Sequence, residues 1–305
     1  MADNLARSLI STGAVRLLSV TTTDVAREAA RRHGAVAGAA VALARGATAG
    51  LLLATMTKGK ERVTLQLVGD GPLGGVTVDA NDAGEVRAYL KNTSVLVTGG
   101  AARRVKLASA LGRHGVVNVI RDLGLRELYR GQASLLTGEI DEDVENYLRS
   151  SEQIESALGC EAVLSDSLEL VSSGGLLVQA MPGGEGTPFV REAQHRFRTG
   201  ALYEALARDP RAAQDPAQLA SAVLGDIARD LDLLDIRPVR FSCPCSKERV
   251  LASLAAVSED ELLAMIREDR HAEVVCNFCN EEFALSGDEL SAILQEKRRG
   301  PYAVS

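Results

Sequence analysis

The stretch Phe241-Ser242-Cys243-Pro244-Cys245-Ser246-Lys247-Glu248-Arg249 decides how this chain is read, together with its counterpart Cys276-Asn277-Phe278-Cys279. Four of the five cysteines in the 305 residues fall in these two tight pairs, thirty residues apart. Each pair can offer two sulfurs to one tetrahedral ion. Four thiolates suit Zn²⁺, which prefers soft ligands and has no redox chemistry of its own. Such a site is closed, because protein fills every position. The C-x-C spacing adds a second property. A disulfide between residues two apart closes a small strained ring, so it is more oxidising than a relaxed structural bridge and more easily reversed. A bound ion holds the sulfurs as thiolates, the form that oxidants attack. Oxidation of either pair removes two of the four ligands. Metal binding in a small module is folding energy, so its loss unfolds the module.

Working outward, residues 241–305 carry seven Lys and Arg against twelve Asp and Glu, a net charge of -5. The first 240 residues hold 27 against 29, a net of -2. A unit of this size is too small to rest on an apolar core alone and needs a staple. Ser258 with Glu261, and Ser286 with Glu289, form capping boxes ahead of apolar runs, so two helices are expected there. The chain has no Trp and only 3% aromatic residues, and its five Phe all follow residue 188. Phe241, Phe278 and Phe283 are expected to cover the metal.

Upstream, Pro182-Gly183-Gly184-Glu185-Gly186-Thr187-Pro188 is a breaker cluster. A helical, charge-rich segment is expected from there to about Arg240. Within it Asp215-Pro216 reads as an N-cap followed by proline at the first helical position. Leu219, Val223, Ile227, Leu231 and Leu234 recur at helical spacing and form a stripe that must lie against something. The opposite face is rich in Asp and Arg, so its docking can be marginal.

Residues 1–183 read as mixed. Ala14 to Thr22 is strand-like and Thr23 to Arg32 helical. Ala35 to Met56 is a buried helix pair or one long core helix. Arg62 to Val68 alternates, with Val63, Leu65 and Leu67 on one side. Strands are expected over 75–80, 85–90, 116–121 and 127–130, with a short helix over 141–149. Closing strands are expected over 162–164, 168–171 and 176–181 around the turn Ser172-Ser173-Gly174-Gly175. Hairpins with inserted helices predict an α+β fold with an antiparallel sheet. The expected division is a core at 1–183, a helical metastable linker at 184–240 and a metal-binding module at 241–305.

The balance of 34 Lys and Arg against 41 Asp and Glu, net -7, argues against a nucleic-acid binder. A zinc-ribbon nucleic-acid or transcription-associated factor is the alternative from a different class. It should show a basic ribbon, whereas the module here is acidic. A zinc hydrolase or deaminase needs an open coordination position and an H-x-E pattern. Neither is found, nor is a G-x-S-x-G elbow, H-E-x-x-H or P-loop, so no enzyme is expected. Gly69-Asp70-Gly71-Pro72-Leu73-Gly74 matches G-x-G-x-x-G, but Pro72 interrupts it and a strand follows, so it reads as a hairpin turn. Arg103-Arg104-Val105-Lys106 and Lys297-Arg298-Arg299 read as solvated surface and a fraying end. His271 is a substitute ligand only if a cysteine were lost, and Cys160 reads as a small buried hydrophobe. No uninterrupted apolar run of membrane-spanning length and no secretory leader is seen, so no membrane partner and a reducing cytoplasm are expected.

The pattern F-x-C-x-C-S-x-E-R at 241–249 with C-x-F-C at 276–279 resembles the bacterial redox-regulated chaperone family of 33 kDa chaperonins. The resemblance extends through Gly69-Asp70-Gly71-Pro72, Tyr129-Arg130-Gly131-Gln132, Ser151-Glu152-Gln153-Ile154, and Gly174-Gly175 with Gln179 and Met181-Pro182-Gly183. It implies a cytoplasmic, ATP-independent holdase, inactive while Cys243, Cys245, Cys276 and Cys279 hold one Zn²⁺. It implies that oxidants produce disulfides Cys243–Cys245 and Cys276–Cys279 and release zinc. The linker is then destabilised, apolar surface meets unfolding client proteins, and the active form is a homodimer.

Overall fold

The computed structural model describes residues 2–10, 14–57, 61–95, 104–125, 127–183, 185–268 and 271–299. They fall into two compact units, Met1–Ser242 and Cys243–Ser305. In chain order the first unit carries β1 (Asn4–Ile10), β2 (Val15–Thr21), α1 (Thr23–His33), α2 (Ala37–Ala54), β3 (Arg62–Gly69), β4 (Val76–Asn81) and β5 (Glu85–Leu90). There follow α3 (Ala108–Leu111), β6 (Gly115–Asp122), β7 (Tyr129–Ser134), α4 (Ile140–Ser150), β8 (Ser156–Leu164) and β9 (Leu170–Ala180). The unit closes with α5 (Thr187–Thr199), α6 (Ala201–Arg208), α7 (Pro216–Leu224), β10 (Asp232–Pro238) and β11 (Arg240–Phe241). One sheet has the order β10-β1-β2-β9-β8, and a second has β11-β5-β4-β3-β6-β7. All pairings are antiparallel except the two-residue β11 beside β5, so the α+β expectation holds.

The sequence AGAAVALARGATAGLLLA makes α2 the centre of the unit, with all 18 residues buried. By length and composition it could cross a membrane, but here it is a core helix packed against strands of both sheets. Its glycines allow the close approach. A Cβ at Gly50 would lie 2.5 Å from a Val78 methyl, and one at Gly46 2.7 Å from a Val76 methyl. Each glycine costs the helix about 1 kcal/mol of propensity, which close packing on β4 offsets. The one charge in α2, Arg45, is 1% exposed. It donates to Glu139 at 2.8 Å and to Asp141, and Glu139 also accepts the Leu107 and Ala108 N–H groups at the start of α3.

The second sheet has one wet face, and β3 alternates as expected, with Val63, Leu65 and Leu67 fully buried. The first sheet is covered on both faces. Leu18, Val20, Leu158, Cys160 and Leu177 belong to the core around α2. Leu17, Ala157, Leu176 and Val178 belong to a second core built with Val190, Ala193, Phe197, Leu202, Leu206, Leu219 and Val223 of α5–α7. Gly159 on β8 makes room for this cover, because a Cβ there would sit 2.8 Å from the Phe197 ring.

Four readings are corrected here. Ser172 to Gly175 are not a turn but the buried middle of β9, and the reversal lies at 165–169. Gly175 is required by crowding, since a Cβ would meet the Gly159 carbonyl and a Thr48 methyl, both at 2.6 Å. The strand expected over 127–130 begins only at Tyr129. The segment 184–240 is helical only in part. Gly225, with φ +53°, ends α7, a 3-10 turn follows, and Leu233, Leu234 and Ile236 stand exposed on β10, which pairs with β1. The Asp215 cap does form, accepting from the Ala217 and Gln218 N–H groups. Finally, Arg104 and Lys297 are not idle surface. Arg104 pairs with Glu161, which is 2% exposed, and Lys297 donates to the Ala255 and Val257 carbonyls. Arg103 lies outside the described residues.

Candidate metal centre

The second unit carries α8 (Lys247–Leu254), α9 (Glu259–Glu268), β12 (His271–Val275), β13 (Glu282–Ser286) and α10 (Gly287–Arg299). Both capping boxes form as expected. Ser258 N–H donates to the Glu261 carboxylate and Glu261 N–H to the Ser258 hydroxyl, and Ser286 and Glu289 repeat this exchange. The apolar core is small: Val250, Leu254, Leu262, Leu285, Leu290, Ile293 and Leu294 are buried, with Phe283 packed against them. These seven side chains are few for a unit of this length, which agrees with its need for a cross-link.

The two cysteine pairs reach the site from different local structures. Cys276 and Cys279 lie in the turn joining β12 to β13. Asn280 N–H donates to the Cys276 carbonyl at 2.8 Å, and Cys276 N–H to the Glu281 carbonyl at 2.9 Å. The turn needs a left-handed residue, supplied by Asn280 at φ 58°, a conformation Asn tolerates better than most residues. Cys243 and Cys245 precede α8, whose N-cap is Ser246, accepting from Arg249 N–H. Lys247 at the start of α8 pairs with Glu289 at the start of α10 at 2.7 Å.

All four Sγ atoms lie within 4.8 Å of one another. Across the pairs, Cys245 lies 3.1 Å from Cys279 and Cys243 lies 3.7 Å from Cys276. Four sulfurs at about 2.3 Å from a common centre have edges of about 3.8 Å. The arrangement fits one tetrahedral ion, and the four cysteines could hold one. Cys279 is 2% exposed, and the other three are half-buried. Burial first, then crowding by neighbouring thiols, pushes Cys245 far above the usual thiol range. Burial likewise raises Cys279. In the absence of a cation Cys245 and Cys279 are therefore held in the protonated form, and metal binding there must displace protons. His271 stands on β12 outside the cluster. Phe241 is corrected: it packs against the core of the first unit, with the Arg32 guanidinium 5.1 Å above its ring.

The family model described as Hsp33 protein matches residues 3–286, which include all four thiols. The chain belongs to the Hsp33 family. It is 35% identical over 297 residues to the 33 kDa chaperonin of Bacillus subtilis, covering 97% of this chain and 100% of that protein. It is 34% identical over 299 residues to the 33 kDa chaperonin of Enterococcus faecalis, covering 98% of each. Its fold is similar to the crystal structure of the 33 kDa chaperonin of Thermotoga maritima, with TM-score 0.85 and 26% identity over 98% of this chain and 99% of that one. Chaperone identity thus rests on the whole length of the Hsp33 chain. Sequence reading found the thiols but missed the carboxylate of Glu281, 3.9 Å from the Cys245 sulfur, because a single Glu in an acidic module carries no signal.

Proposed function

We propose that this chain is a redox-regulated, ATP-independent holdase of the reducing cytoplasm. In the resting state Cys243, Cys245, Cys276 and Cys279 hold one Zn²⁺ as thiolates. Bound there, zinc would cross-link the segment before α8 to the β12–β13 turn in a module whose own core is too small to hold it. A peroxide or hypochlorite oxidises the thiols to the disulfides Cys243–Cys245 and Cys276–Cys279. Each bridge forms as two thiolates pass two electrons to the oxidant; peroxide with two protons from solvent leaves as two waters, and hypochlorous acid with one proton leaves as chloride and water. Pairing within each motif is the choice that frees the module. Cross-pair bridges would staple residue 243 to 276 and 245 to 279 and keep the segment before α8 tied to the β12–β13 turn. Unfolding of the module then destabilises the preceding linker. As α5–α7 leave the first sheet, the apolar face of Leu17, Ala157, Leu176 and Val178 meets unfolding client proteins, and the active chain dimerises.

The observation that carries this reading is the convergence of four sulfurs from two distant motifs within 4.8 Å, in a chain of a chaperone family. It is tested by metal content and disulfide mapping. Reduced protein should hold one zinc per chain, and Cys276→Ser should lose most of it. Peptide mass mapping after peroxide should recover the two local bridges. Full zinc in the variant, or cross-pair bridges in the oxidised protein, contradicts the reading.

A further inference from the structure

The turn joining β12 to β13 offers a carboxylate beside its two thiols. Glu281 follows Cys276 and Cys279 in a C-x-x-C-x-E run, and its Oε2 accepts from the Cys245 thiol at 3.9 Å. For a sulfur about 2.3 Å and a carboxylate oxygen about 2.0–2.2 Å from one tetrahedral centre, the edge between them is about 3.5–3.7 Å. The carboxylate thus stands close to a coordinating edge with Cys245. Its backbone is fixed to the turn, because the Glu281 carbonyl accepts the Cys276 N–H at 2.9 Å. Cys245 comes from elsewhere, the segment before α8, so its departure leaves Glu281 in place beside Cys276 and Cys279. Other carboxylates of the module are engaged: Glu289 pairs with Lys247 at 2.7 Å, and Glu261 accepts from Ser258. Among the described residues no ion pair holds Glu281, so its side chain can turn toward the sulfurs. His271, the substitute that the sequence alone suggests, begins β12 and lies roughly 16 Å from Cys276 along an extended chain.

We propose that Glu281 is a reserve ligand of the metal centre, taking the position of Cys245 when that sulfur leaves. The cation then keeps four protein donors, three sulfurs and one oxygen. This role rests on the proposed four-thiolate site and adds a fifth donor to it. A carboxylate oxygen is an ordinary zinc ligand, and exchange of one monoanionic donor for another leaves the charge of the centre unchanged. With all four thiolates in place the softer donors hold the ion and Glu281 stays outside. Its effect therefore falls on the partly opened site. Peroxide and hypochlorite consume thiolates but not carboxylates, so a sulfur that detaches with the segment before α8 is replaced by a donor the oxidant spares. Glu281 thus leaves the affinity of the intact site nearly unaltered and slows the loss of metal from it.

The experiment uses the full reduced chain, loaded with Zn²⁺ or Co²⁺ at one neutral pH. Glu281→Gln is made in the wild-type and Cys245→Ala backgrounds, with Glu282→Gln as the charge-matched control. In the four-cysteine chain, Glu281→Gln should leave zinc affinity nearly unchanged but speed zinc transfer to a chelator several-fold, and Glu282→Gln should do neither. Cys245→Ala should still bind one cation per chain. Adding Glu281→Gln to it should weaken that binding at least about tenfold and shift the visible Co²⁺ bands, whereas adding Glu282→Gln or His271→Gln should not. The transfer arm needs no cysteine variant, so loss of fold in Cys245→Ala does not shield the proposal. Equal transfer rates for Glu281→Gln and the wild-type chain overturn it. An affinity of Cys245→Ala that is indifferent to Glu281 overturns it too. So does an equal loss of affinity in both backgrounds, which marks Glu281 as a hydrogen-bond partner of the sulfur and no more. A wild-type Co²⁺ spectrum lacking four thiolates overturns the metal site itself, and with it the reserve role, so the two failures are told apart.

Discussion

Replacing Arg45 by Met should be among the most damaging single changes in the first unit. Arg45 is 1% exposed in the middle of α2, and Glu139 and Asp141, its two partners, are each 5% exposed. Glu161, 2% exposed, lies near enough to add to the field, and Arg104 is its direct partner. Three buried carboxylates therefore share two guanidinium groups. Methionine fills much of the arginine volume, so the loss is electrostatic and not a cavity. Breaking a buried pair by removing one partner costs about 3–5 kcal/mol, because the other charge stays buried and uncompensated. At a urea slope of about 3 kcal/mol/M, the unfolding midpoint followed by far-UV circular dichroism should fall by about 1–1.7 M. The triple variant Arg45→Met, Glu139→Gln, Asp141→Asn should recover most of this, since removing both sides of a buried pair can be near neutral. Burial already raises Glu161. Arg45 opposes that rise, so without it the folded-state value of Glu161 climbs further, and the deficit is full at pH 8 and shrinks as pH falls. A loss below about 1 kcal/mol, or a deficit unaltered by pH, refutes the reasoning.

Two further outcomes follow from the same geometry. Asp3 accepts the Val25 N–H at 2.8 Å, and burial, with Asp24 adding to it, raises its carboxyl from 3.8 to about 6. Its contribution is fully present below about pH 4 and lost as pH rises through about 6. Asp3→Asn should therefore be about 1–2 kcal/mol more stable than wild type at pH 7.5, with the gap closing near pH 4 in thermal melts. Gly159→Ala would force a Cβ against the Phe197 ring and should cost about 1–3 kcal/mol. It should speed tryptic cleavage at Arg191, Arg196 and Arg198 in the reduced protein, and unchanged cleavage would count against Phe197 as the anchor of the cover.

What the sequence made legible follows from periodicity and spacing. β3 could be read because one of its faces is wet, so Val63, Leu65 and Leu67 alternate with polar residues. β8 and β9 are buried on both faces, and their runs of Gly, Ala, Ser and Leu show no alternation. The Ser-Ser-Gly-Gly of β9 therefore reads as a turn, when Gly175 answers to the crowding of β8 and α2 and Gly174 to the Val20 carbonyl of β2 and the Leu219 side chain of α7. β10 was hidden for the opposite reason. As an edge strand with exposed Leu and Ile it carries no burial pattern, and its Leu234 fell by chance on the helical spacing of α7. The thiols are legible because two spacings that arise in few other settings specify one site. Glu145, which accepts from Gln194 and Arg198, and Arg104 are not, since a charged residue whose side-chain partners lie 49 or more positions away looks like any solvated one.

The central claim is that loss of the four-sulfur site turns the chaperone on. It is tested most directly in one cuvette, with reduced, zinc-loaded protein, a thermally unfolding client, peroxide at mild heat and a chromogenic zinc chelator. Zinc release should rise in step with suppression of client light scattering, and a thiol reductant should reverse the suppression. Zinc that leaves while the client aggregates unhindered, or aggregation that is suppressed while zinc stays bound, would contradict it.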